Sequence, residues 1–147
     1  MELINRKEKL EIEEKLNEHF GIPKLNFLLI KSGEDRIRGF TGSLSSDEIK
    51  KIAREVNVEI LGLYLMKREK DGIRLSFDAP TFLNPEKNIA HIDDKQAAEW
   101  LKGQDITYSG ELKGFVILKH KDDFLGCGKS SNGRITNFVP KERRIKS

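Results

Sequence analysis

The chain has 147 residues, 37% hydrophobic and 35% charged, with a formal net charge of +3 and a single cysteine. That leaves room for one ordinary domain, or two small ones sharing an interface. The lone Cys127 excludes an intramolecular disulfide framework and suits a reducing compartment. No apolar run reaches the length of a membrane span, and the charged start MELINRKEKLEIEEK lacks the apolar core of a signal peptide, so the expected address is cytoplasmic.

Residues 6–20 carry an amphipathic helical pattern with Leu10, Leu16 and Phe20 as candidate buried positions, and Gly21 followed by Pro23 stops it. Its alternating charges nearly cancel, which describes a solvated face rather than a nucleic-acid-binding one. Residues 25–30, LNFLLI, predict a buried strand, joined through Ser32, Gly33, Glu34 and Asp35 to a second strand at 36–41. Ser45 and Glu48 form a capping-box pattern ahead of Ile49, Ile52, Ala53 and Val56, which predicts a second helix. A strand at 58–66 follows, then a charged turn over 67–72. Ile73, Leu75 and Phe77 then alternate as in a half-buried strand.

This element order implies an α+β layer with antiparallel hairpins rather than a doubly wound nucleotide fold. Neither GxGxxG nor GxxxxGK[ST] occurs at a strand-to-helix junction. Pro80 and Pro85 interrupt the pattern and mark a boundary, giving domains at 1–82 and 83–147. Beyond it come a strand at 88–92 and a helix over 95–102 capped by Asp94. Gly103 stands where a helix end requires positive φ.

Candidate chemistry is sparse. Cys127 sits between two glycines in a strand, the setting of a core thiol, with no partner that spacing places beside it to lower its pKa. His19, His91 and His120 fall on separate elements with no HxxxH or HExxH spacing, so no metal site is expected. The doublets Asp93-Asp94 and Asp122-Asp123 sit at turns, where Asp serves as a cap or turn former. GCGKSSNGR lacks the spacing and following helix of a phosphate loop; a hairpin turn over 130–133 accounts for its glycines, with Lys129 and Arg134 flanking it. From Lys119 onward eight Lys/Arg face three Asp/Glu, a local surplus of +5, while residues 1–118 sum to −2. Lys141, Arg143, Arg144 and Lys146 are the densest cations, bracketed by Phe138, Val139 and Ile145, which predict a last strand that would hold them in place.

The last third resembles a PUA domain, a small β-barrel-like RNA-binding module. The resemblance is carried by the turn at 101–106 (LKGQDI), Gly110, the strand at 114–118 and the return strand at 125–128. Residues from Gly72 through Gly128 are similar to ribosome-biogenesis factors that join an α+β domain to a PUA domain. The tail GRITNFVPKERRI resembles the RNA-binding region of the Sun/Fmu family of RNA cytosine-5 methyltransferases. The S-adenosylmethionine-binding glycine motif and Pro-Cys nucleophile of those enzymes are absent from these residues.

The resemblance implies a small α+β domain followed by a PUA-like domain, with non-catalytic binding of structured RNA, ribosomal or transfer, and no cofactor. It implies contacts from Lys102, Gly103, Gln104 and Asp105 at the turn and from Arg143 and Arg144 on the final strand, and the basic character of Lys129, Arg134 and Lys141 adds them to the candidate set. In that picture Gly103 admits the RNA backbone, Gln104 and Asp105 hydrogen-bond base edges or 2′-hydroxyls, and the cations meet phosphates. The alternative is a protein-interaction subunit whose N-terminal domain docks a separate methyltransferase or assembly factor.

Overall fold

The computed structural model describes residues 2–33, 35–40, 47, 51 and 62–146. The helix expected from Ser45 to Val56 has its capping pair and its apolar positions outside those residues. A two-residue strand, β1 (Glu2–Leu3), leads into helix α1 (Arg6–Phe20). The Asn5 side chain starts the helix by accepting from the Glu8 N–H at 2.8 Å. Gly21, at φ 67°, ends it by donating to the Asn17 carbonyl. Ile12, Leu16 and Phe20 form the buried stripe, whereas Leu10, expected inside, is 48% exposed. The core-facing stripe runs through 12, 13, 16 and 20, and position 10 lies off it. Glu13 is nearly buried on that stripe, and its carboxylate accepts from the Leu25 N–H at 2.7 Å, satisfying both groups where the chain turns away from the helix.

Strands β2 (Leu28–Ser32), β3 (Arg36–Phe40), β4 (Leu63–Glu69) and β5 (Gly72–Leu75) join β1 in an antiparallel meander in sequence order. The charged stretch 67–72 is mostly strand rather than turn, since Lys67 and Arg68 pair with Arg74 and Ile73. Long basic side chains can keep their heads in solvent from a strand, so charge alone did not mark the turn. The segment after β5 is likewise not a bare linker. Ala79–Leu83 forms a short helix, α2, with Pro at its first turn, where the missing N–H costs nothing.

The second sheet has the order β6-β8-β9-β10-β7 and comprises β6 (Ile89–His91), β7 (Ile106–Thr107), β8 (Gly114–His120), β9 (Asp123–Ser131) and β10 (Arg134–Asn137). Pairing is antiparallel except for β6 with β8, which the crossover through α3 (Asp94–Leu101) makes parallel. Helix α3 is capped by Asp93 rather than Asp94, in a reciprocal capping box with Gln96. The β9–β10 hairpin turns at Asn132 and Gly133, both at positive φ, as a two-residue connection requires.

This α+β fold packs on two main cores. One joins α1 and the first sheet to Phe115, Ile117 and Cys127 of the second sheet. The other gathers Trp100 and Ala97 of α3 with Ile106, Val116, Leu118, Ile135 and Val139.

Among the described residues no strand follows β10. After β10, Pro140 has no N–H to offer a ladder, and Lys141–Arg143 make one turn of 3-10 helix. The expected last strand through Arg143 and Arg144 is therefore corrected, and Ile145 is 54% exposed rather than an anchor.

Candidate nucleic-acid interface

The end of α3 is fixed from beneath by Trp100. The indole is fully buried and its N–H donates to the Leu125 carbonyl at 2.7 Å. A Cβ on Gly128 would come within 2.7 Å of that ring, so the glycine makes room for it. Above the indole, Lys102 and Gln104 donate backbone N–H groups to the Glu99 carbonyl, and Gly103, at φ 91°, donates to Trp100. The chain reverses there and leaves Lys102 and Gln104 exposed.

The turn is clasped by the residues after β10. Asn137 donates through Nδ2 to the carbonyls of Trp100 at 2.8 Å and Gln104 at 2.9 Å, and its Oδ1 accepts from Val139 N–H. Asp105 accepts from the Asn137 N–H at 2.9 Å and faces Arg134 Nε at 3.6 Å. Ile145 N–H donates to the Leu101 carbonyl at 2.8 Å. Arg144 donates from Nε to the Val139 carbonyl at 3.0 Å and lies across Gly103, where a Cβ would come within 2.6 Å of Nε.

Lys102, Gly103, Gln104, Asp105, Arg134 and Arg144 thus converge on one face, with Lys141 one turn from Arg144. Asp105 serves there as the knot between two chain segments. Asn137, the centre of that knot, was missed by sequence reasoning, because no local pattern marks an Asn whose three partners are distant or follow it.

Lys129 and Arg143 are placed elsewhere. The Lys129 ammonium binds Asp71 and sits 5.5 Å from the Phe115 ring. Arg143 pairs with Asp78 at 2.7 Å and covers Phe77 at 4.6 Å. Both cations bridge from the second sheet's half of the chain to the first.

The Lys129 hydrogen bond is the main reason the Asp71 carboxyl is held below its usual 3.8. A carboxyl depressed in the folded state contributes stability that is fully present above its unfolded pKa and lost as pH falls through the folded one. Asp71→Asn is therefore expected to lower the melting temperature near neutral pH. The difference from wild type should close once the pH is below the folded value, as melting curves across an acid series would show.

Among the described residues the remaining titratable groups gather no reactive set. His120 Nε2 lies 2.7 Å from Asp94, whose carboxyl it holds low with help from Lys121. Burial pushes the Cys127 thiol up to about 12, which keeps it protonated. Among the described residues no group of three or more His, Cys, Asp or Glu could hold a metal ion, and no helix is long and apolar enough to cross a membrane.

Residues 87–145 match the family described as "Methyltransferase RsmF PUA domain". The ribosomal RNA small subunit methyltransferase F of Vibrio vulnificus (strain YJ016) is 31% identical over 90 residues, 60% of this chain and 19% of that protein. Its counterpart in Vibrio cholerae serotype O1 (strain M66-2) is 25% identical over 141 residues, 94% of this chain and 29% of that protein. The chain thus spans less than a third of the length of these relatives. A PUA domain protein from Thermoplasma acidophilum, 15% identical, superposes with a TM-score of 0.62 over 95% of this chain and 94% of its own, a likeness of fold. Residues 87–145 are accordingly similar to the PUA domain of RsmF-type methyltransferases, and the fold of the chain is like that of a PUA domain protein.

Proposed function

We propose that this chain is a non-catalytic, cytoplasmic binder of structured RNA, ribosomal or transfer, acting as an accessory in ribosome biogenesis or RNA modification. The observation that carries it is the convergence of Lys102, Arg134, Lys141 and Arg144 around the Gly103 turn of a PUA domain. Arg144 covers Gly103, so its guanidinium rather than bare backbone faces an RNA strand there, while Lys102 and Arg134 extend into solvent and Gln104 offers an amide to a base edge or 2′-hydroxyl. Duplex RNA is read on such a face by its shape and its phosphates more than by sequence. The domains divide at 1–82 and 83–147, with the N-terminal one set against the PUA domain through Asp71, Asp78 and the shared core. The names of the relatives favour ribosomal RNA.

A second role has its own support. The similarity to the Vibrio cholerae methyltransferase runs over 141 residues, so it includes the first sheet as well as the PUA domain. The N-terminal domain would then dock a separate RNA methyltransferase or assembly factor while the PUA domain presents RNA to it. Crosslinking in cells, followed by sequencing of the attached RNA and identification of copurified protein, tests both roles. Enrichment of a defined ribosomal or transfer RNA segment is the expected result. Recovery of no RNA above background would end the RNA-binding proposal, and a copurifying methyltransferase would favour the docking role.

A further inference from the structure

Arg144 borders more than the Gly103 turn. Its other side lines a cleft of about 490 Å³ between the two sheets, walled by Arg36, Tyr64 and Arg74 from the first sheet and by Phe138 and Lys141 from the segment after β10. We propose that this cleft holds an unpaired nucleotide of the RNA strand adjoining the duplex, so that the N-terminal sheet supplies part of the RNA contact. This rests on the RNA-binding role proposed above.

Charge is the first reason. Four cations line the cleft against a single acid, Glu142, among its described lining residues. The second reason is how the guanidinium groups are held. Arg74 Cζ lies 4.5 Å from the centre of the Phe138 ring, with Glu69 3.5 Å away, and Arg36 Cζ lies 5.4 Å from the Tyr64 ring. A guanidinium resting on an aromatic ring presents a flat surface on which a base can stack, as Arg36 does on Tyr64, while Arg74, shared with Glu69, adds positive charge to the wall.

Size and continuity select the occupant. The volume falls within the range of about 300–1,000 Å³ typical of small-molecule sites. That suits one splayed nucleotide rather than a double helix, whose bases stay stacked away from protein rings. Because Arg144 lies on both the turn and the cleft, a strand leaving a duplex at Gly103 meets the cleft next. Aromatic and Arg platforms of this kind are the usual means of holding single strands without sequence preference.

The test compares one RNA duplex with blunt ends and the same duplex with a short single-stranded extension, measured by equilibrium binding to the intact protein. Wild type is expected to bind the extended RNA about tenfold more tightly, the size of effect one stacked base gives. Arg36→Ala with Tyr64→Leu should abolish that advantage and leave affinity for the blunt duplex unchanged. Arg36→Ala alone, at an exposed position, should remove part of the advantage without disturbing packing. Equal wild-type affinity for the two RNAs, or an advantage that survives in both variants, overturns the cleft proposal while leaving the PUA face intact. If free AMP saturates the cleft while the extension confers no advantage, the single-strand proposal is likewise overturned. Failure of wild type to bind either RNA overturns the RNA-binding role and the cleft together.

Discussion

Trp100→Ala is expected to lower the unfolding free energy by about 3–5 kcal/mol, the range for deleting a large aromatic from a core. The ring has no solvent exposure. Its removal leaves a cavity beneath the α3 terminus and strips the half-buried Leu125 carbonyl of its donor at 2.7 Å, which adds the loss of a hydrogen bond. Gly128 has no side chain with which to fill the space, and β9 and β10 are held in register beside it. At roughly 2–4 °C per kcal/mol for a chain of this size, the melting temperature should fall by about 10 °C. Chemical and thermal unfolding measure this directly. A loss below about 1 kcal/mol would mean that the indole does not support the turn as described.

Replacing Lys102 and Arg134 together by alanine is expected to weaken binding of structured RNA about a hundredfold, at about 1.5 kcal/mol for each charge-assisted hydrogen bond to phosphate that is removed. Arg143 and Arg144 are left in place because Arg143 pairs with Asp78 and covers Phe77 while Arg144 holds the Val139 carbonyl and packs over Gly103, so changing either would mix a packing effect with a binding one. Lys7→Ala with Lys9→Ala on α1 serves as the comparison. Those charges are offset by Glu8 and Glu11, and this variant should bind like wild type. Equal weakening in the two variants would show that binding follows general charge rather than the PUA face.

Helix α1 was legible in the sequence because its apolar spacing and the Gly21-Pro23 stop agree, and Gly103 was legible because a helix end followed by a polar turn asks for positive φ. The hairpin at Asn132-Gly133 was legible for the same local reason. What could not be read depends on distant partners. Arg143 meets Asp78 across 65 positions and Lys129 meets Asp71 across 58, so two cations of the candidate set also join the halves of the chain. Asn137 ties Trp100 and Gln104 to Val139 with no pattern of its own. Proline was misleading in two opposite ways. Pro80 sits in the first turn of a helix where it was read as a break, and Pro140 leads into a 3-10 turn where the apolar residues around the basic cluster suggested one more strand. Leu10 shows that an apolar residue near a helical stripe need not belong to it.

The measurement that bears most directly on RNA binding by this face is the salt dependence of affinity for ribosomal and transfer RNA. If Lys102, Arg134, Lys141 and Arg144 each displace a condensed counterion, the logarithm of the association constant should fall against the logarithm of salt concentration with a slope of about −3. Binding in the absence of added salt should then be readily detected. A folded sample that shows no binding at low salt, or binding whose affinity is unchanged by salt, would contradict the account.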